Sequence, residues 1–123
     1  MTTRADRIAA LRAAAKTRIL VLDGSWGVMI QRRGLAEADF RGARFADHKT
    51  LLKGDNDILC LTRPDIIADL HDQYFAAGAD ISETNTFSAT SIAQADYALQ
   101  GAVRDINLEG ARIARAAADR WTA

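Results

Sequence analysis

The sequence predicts an α/β fold built on parallel strands, and three observations predict it. A short unbroken β-favouring run, Ile19-Leu20-Val21-Leu22, stops abruptly at Asp23-Gly24, as a strand buried on both faces does. A helix with start and stop signals runs from Thr62 to Gly78 and leads into a second strand-like segment, Ala79 to Thr84. A long amphipathic helix, Ala102 to Trp121, comes after it. With the inserts set aside the order is β-α-β-α, which implies parallel strands joined by right-handed crossovers.

Each element has its own warrant. Arg4 to Lys16 reads as a helix, with Ile8, Leu11 and Ala15 on one side and arginines on the other. Ser25 to Leu35 has room for a short helix ended by Gly34. Ala36 to Asp55 reads as a long irregular insert, and Asp57 to Leu61 as a brief strand or turn. Thr62-Arg63-Pro64-Asp65 combines a hydroxyl cap candidate, an early proline and an acid in the first turn. Ile66, Ile67, Leu70, Tyr74 and Ala77 then share a face until Gly78. Thr86 to Ala98 reads as loop and a short helix. In the last helix Val103, Ile106, Gly110, Ile113, Ala117 and Trp121 form one stripe.

Composition narrows the function classes. The 123 residues amount to one domain's worth of chain, and 25 of them are alanines, which favour helix but bury little area each. Sixteen basic and sixteen acidic residues cancel, and no basic stripe is visible, so nucleic acid is not an expected partner. No apolar run approaches a membrane span, and the charged, alanine-rich start has no secretory h-region. A single cysteine, Cys60, cannot form an internal disulfide, which fits a reducing, cytoplasmic setting. Cys60 lies between Leu59 and Leu61 and reads as a buried structural thiol, while His71 beside Asp72 reads as a surface helix residue. Neither His48 nor His71 has a partner at metal-ligand spacing, so no zinc site is expected in this chain. The Arg41 to Arg44 stretch reads as a solvated charged face.

In a parallel α/β fold, ligands bind at the carboxyl ends of strands, and two segments stand there. Asp23-Gly24-Ser25-Trp26-Gly27 offers free amides for a carboxylate and an acid for an ammonium, which suits a zwitterionic amino-acid head. It also reads as an ordinary Asp-Gly turn. Glu83-Thr84-Asn85-Thr86-Phe87 brings a carboxylate, an amide and hydroxyls to the end of the second strand, and also reads as a capped solvent loop. If both belong to one pocket, Asp23 and Glu83 fall within roughly 10 Å of each other at one mouth, given the spacing of neighbouring strands. Carboxylates that close need a hydrogen-bond donor or cation between them.

These stretches together resemble the homocysteine S-methyltransferase family. ILVLDGSWG (residues 19–27) is similar to its opening strand and turn. Glu37 to Gly42 with Arg44 to Asp47, and Lys53 to Leu59, resemble the insert of its cobalamin-dependent methionine synthases. Leu61 to Pro64, Tyr74 to Ile81 and Glu83 to Phe87 continue the match, which runs from about Arg18 to the end of the chain. The resemblance implies a homocysteine-binding (β/α)₈ TIM barrel. About two of its βα units would lie in 18–123, preceded by an N-terminal helix at 1–17. It also implies a homocysteine pocket bordered here by Asp23, Gly24, Ser25, Glu83, Asn85 and Thr86. For the full-length family it implies zinc held by three cysteines of later strands, with methylcobalamin and methyltetrahydrofolate on other modules. None of these is expected on this chain, which carries none of those cysteines and no catalytic residue of its own.

The activity implied is methyl transfer to a zinc-bound homocysteine thiolate, giving methionine. A barrel of this class needs about 250 residues, so the chain reads as an inactive fragment whose remaining units lie elsewhere, on another chain among the options. A non-catalytic module that pairs with a partner chain is the alternative, and exposed strand edges predict marginal stability or association. The sequence departs from the family at Ser25-Trp26, where Ala-Met is usual in the methionine synthases. It departs also at Val28, in place of a threonine, and at Asp55, in place of an asparagine.

Overall fold

The structure, a computed structural model, describes residues 2–122. It is helical. Helix accounts for 60% of the chain and extended bridge for 2%, and the described residues form no sheet. The predicted α/β architecture, the N-terminal portion of a (β/α)₈ TIM barrel with about two βα units, is therefore not the fold seen here. What remains of the two expected strands is one isolated parallel bridge between Leu22 and Ile81. It is tied by Asp23 N–H to Ile81 O (3.0 Å), Ile81 N–H to Val21 O (3.2 Å) and Asp80 N–H to Val21 O (2.8 Å).

The physical reason lies in the neighbours. A strand buried on both faces needs strands beside it and helices above and below, and a two-stranded pair is marginal without them. Ile19 is 87% exposed here and Val21 51%. Neither edge nor face is covered enough to favour a ladder over solvated backbone. The registration that survives is held by side chains instead. Asp80 accepts from Arg18 Nη1 (2.8 Å), Arg18 Nη2 (2.6 Å) and the Val21 N–H (2.9 Å).

The helices follow local chemistry more closely. α1, Arg4–Ala15, starts at a capping box in which Thr3 and Asp6 satisfy each other's backbone N–H groups, and it buries none of its residues. α2, Trp26–Gln31, and α3, Glu37–Arg41, flank the turn at Gly34. A 3₁₀ turn, Asn56–Ile58, runs into α4, Leu59–Thr62, where a brief strand or turn was expected. α5, Pro64–Ala76, begins with its proline as predicted. Thr62 does not cap it. Its hydroxyl donates back to Ile58 O at 3.2 Å, and Arg63 occupies the cap position. α6, Ser91–Gln94, two further 3₁₀ turns at Ala95–Tyr97 and Gln100–Ala102, and α7, Val103–Trp121, complete the chain.

The core sits where α4 and α5 meet α7. Leu52, Ile58, Leu59, Ile67, Leu70 and Ile106 are completely buried there. On the α7 stripe Ile106, Gly110 and Ala117 are buried, whereas Trp121 at the far end is 47% exposed. Gly110 is required for the close approach of α7 to the site segment. A Cβ there would lie 2.7 Å from Thr86 Cγ2 and 3.5 Å from Cys60 Sγ.

The long insert is irregular after α3, as expected, and the Glu37–Arg41 ion pair helps to order it. Glu37 accepts from the Leu52 and Lys53 N–H groups (both 2.6 Å) and from Arg41 Nε (2.9 Å). Burial pushes the Glu37 carboxyl up, but those three donors outweigh it and hold it below its ordinary value. Arg41 also donates to the carbonyls of Phe45, His48 and Thr50, so it pins the insert and is not part of a solvated face. His48 Nε2 lies 2.7 Å from Tyr97 O and ties the insert to the turn after α6.

Candidate functional site

Three turns converge on a cavity of about 430 Å³: Gly24–Gly27, Gly54–Asp57 and the segment Glu83–Ser88, with Tyr97 at its rim. A larger, shallower groove of about 690 Å³ runs between α1 and α7, but its lining is mostly alanine, arginine and aliphatic side chains. The smaller cavity holds the convergent polar groups that a binding site needs.

The first wall is the turn after Leu22. Ser25 adopts left-handed backbone, φ 59° and ψ 37°, an arrangement that costs a non-glycine residue about 1 kcal/mol. That turn brings Trp26 back over Asp23. The Asp23 carboxylate is 6% exposed and accepts from Trp26 Nε1 (3.1 Å), Ser82 Oγ (2.8 Å) and the Glu83 N–H (3.2 Å to each oxygen). These donors stitch the first turn to the third wall and supply the compensation that a buried carboxylate demands.

Behind Asp23 the chain of hydrogen bonds continues. Ser82 Oγ donates to Asp23, so His71 Nδ1, 2.7 Å away, is the donor to Ser82, and Nε2 is the nitrogen with no partner. His71 is completely buried, edge-on to the Trp26 ring at 4.5 Å, and is not the surface residue expected from its place beside Asp72. Burial pushes its pKa down, against the opposing pull of the Asp23 and Asp72 carboxylates.

The second wall is a glycine turn. Gly54, at φ +101°, swings Asp55 and Asp57 inward, and both are at least nineteen-twentieths buried. Asp57 Oδ2 accepts from the Ser88 N–H at 2.6 Å, and Asp55 Oδ1 accepts from Gln94 Nε2 at 2.9 Å. Burial pushes Asp57 up to about 6, with the neighbouring Asp55 charge adding to the Ser88-opposed shift. Burial pushes Asp55 up as well. The clue legible in the sequence was a pair of carboxylates two residues apart, Asp55 and Asp57, the second directly abutting the apolar Ile58-Leu59.

The six residues expected to border the pocket divide into two groups. Gly24, Ser25 and Glu83 are exposed and line the cavity. Asp23, Asn85 and Thr86 are committed to internal contacts, and of these three Asn85 also lines the cavity. Asn85 Nδ2 donates to Asn56 O (2.9 Å), and the Asn85 carbonyl accepts from Cys60 Sγ (3.3 Å). Thr86 Oγ1 lies 2.6 Å from Thr84 Oγ1, and its methyl group faces Gly110. Trp26, Asp55, Asp57, Ser88 and Tyr97 join the cavity lining without having been expected there.

The donor set does not fit a three-cysteine zinc centre. Cys60, the one cysteine, is buried, and burial pushes its thiol up to about 12, the reverse of what a metal-binding thiolate needs. Among the described residues, no three His, Cys, Asp or Glu side chains are grouped to hold a metal ion. No described helix is long and apolar enough to cross a membrane.

The family model described as homocysteine S-methyltransferase matches residues 20–123.

Proposed function

The chain belongs to the homocysteine S-methyltransferase family, and from that premise we propose that its cavity is one wall of an amino-acid pocket serving methyl transfer to the homocysteine sulfur. The observation that carries this reading is the convergence of Gly24, Ser25 and Glu83 on one cavity, from turns 59 residues apart, counting Gly24 to Glu83. The exposed Glu83 carboxylate and the turn amides would take the ammonium and carboxylate ends of the ligand. Asp23, Asn85 and Thr86 act one step back, holding the walls in register through the hydrogen bonds described above. The resemblance to methionine synthases in the insert favours methionine as the product. Zinc and cobalamin chemistry is not assigned to this chain, among whose described residues no three His, Cys, Asp or Glu side chains are grouped to hold a metal ion.

Backbone amide NMR during titration with L-homocysteine under reducing conditions tests the pocket. Saturable shifts at Gly24, Ser25 and Glu83 are expected in the millimolar range, weakened about tenfold in Glu83→Gln, the loss expected for one charge-assisted contact. Shifts confined to the α1–α7 groove, or none that saturate, would refute the assignment.

A second reading, a module that associates with a partner chain, is favoured by the apolar surface left bare. Ile19 is 87% exposed, Ile92 86% and Phe87 98%. Sedimentation velocity across a concentration series distinguishes it, since a strictly monomeric chain at all concentrations argues against self-association.

A further inference from the structure

Two acceptor atoms, Asp55 Oδ2 in the wall of the cavity and Gln94 Oε1, have no partner. Both residues are buried, at 3% and 0% exposure, and they already touch, because Gln94 Nε2 donates to Asp55 Oδ1 at 2.9 Å. The second Gln94 amide hydrogen goes to Ser88 O at 3.1 Å, which settles which end of the amide is nitrogen. An unpaired buried acceptor costs about 1–3 kcal/mol, and here there are two on one bonded pair. A carboxyl and a primary amide are planar and of equal width. Where one N–H···O bond joins two such groups edge to edge, the free oxygens lie opposite each other. Two lone pairs so placed repel, unless a proton lies between them.

We propose that Asp55 and Gln94 are joined as a cyclic acid–amide pair, with a proton carried on Asp55 Oδ2 and donated to Gln94 Oε1 while Gln94 Nε2 donates to Asp55 Oδ1. One proton taken from solvent satisfies both orphan atoms, and no other group is needed. The acidic groups that face Asp55 favour this state. Asp57 on the same turn is a second buried acid. Tyr97, from the 3₁₀ turn after α6, is a phenol that feels the Asp55, Asp96 and Asp57 charges. Burial pushes the Asp55 carboxyl up, and only the Gln94 amide and the Ile58 and Asp57 N–H groups oppose it. The pair links the Gly54–Asp57 wall to α6. Ionisation removes one of its two hydrogen bonds and sets a charged oxygen against the Gln94 carbonyl. The cavity wall therefore carries a proton-operated latch that loosens as pH rises. This does not depend on which ligand the cavity takes. An asparagine at position 55 would make the same ring at every pH, because its amide does not titrate.

Carboxyl-detected NMR on the full-length labelled chain tests the pair. The Asp55 carboxyl carbon is expected to titrate above the ordinary aspartate value in the same spectrum. The Gln94 side-chain amide protons are expected to shift with the same midpoint. In Asp55→Asn the ring persists, so the melting temperature of the variant relative to the unsubstituted chain should climb between pH 4 and pH 8. Co-titration of Asp55 with exposed aspartates overturns the proposal, as do Gln94 amide protons that ignore the Asp55 midpoint. If Asp55→Asn fails to fold, the titration of the unsubstituted chain still decides.

Discussion

Replacing Asp57 by asparagine is expected to stabilise the protein at alkaline pH and leave it nearly unchanged in acid. Asp57 is 4% exposed, and burial lifts its carboxyl from 3.8 to about 6. A group raised in the folded state favours folding through its neutral form. That contribution is complete below 3.8 and is lost as pH climbs through about 6. The displacement corresponds to ~3 kcal/mol at most. The carboxyl borders a water-accessible cavity and keeps a 2.6 Å bond from the Ser88 N–H, so screening reduces the realised penalty to about 1–2 kcal/mol. Asparagine retains an oxygen for the Ser88 N–H and removes the charge beside Asp55. Urea unfolding at pH 8 should therefore show the variant more stable by about 1–2 kcal/mol, with the difference within ~0.5 kcal/mol at pH 4. A variant less stable at pH 8, or equally stabilised at both pH values, would show that the Ser88 bond to the charged form outweighs desolvation.

Two further perturbations probe the frame around the site. Ile67 is completely buried at the centre of the core, and Ile67→Ala should lower unfolding free energy by about 2–5 kcal/mol in denaturant melts, with a loss under 1 kcal/mol contradicting the packing described. Asp80 is held down to about 2, chiefly by the Arg18 guanidinium and then by the Val21 N–H, so it stabilises the fold above 3.8 and that contribution is lost as pH falls through about 2. Asp80→Asn should lower the melting temperature at pH 7 and shrink its fall in acid, and unchanged melts at both pH values would dissociate this pair from the Leu22–Ile81 bridge.

What the sequence determined by itself was the local structure and the meeting of its two turns. The helices at Pro64–Ala76 and Val103–Trp121 were legible because a helix closes its hydrogen bonds four residues away, and proline, glycine and the apolar stripe mark its ends and its inner face. The turns at Asp23 and Glu83 were each legible from the β-favouring run before them, and they touch through the Glu83 N–H on the Asp23 carboxylate, but that carboxylate is buried and Glu83, not Asp23, lines the cavity. The tertiary structure decided what depends on distant neighbours. Ile19–Leu22 and Ile81–Thr84 have strand composition, yet only Leu22 and Ile81 pair, because a ladder needs flanking strands to cover its edges and faces. His71 and Cys60 took their burial, and Asp55 and Asp57 their raised affinity for protons, from elements 11 to 50 residues away, such as Ser82, Ser88, Gln94 and α7. Desolvation is set by everything that packs around a side chain, and a linear pattern carries only the part contributed by its own neighbours.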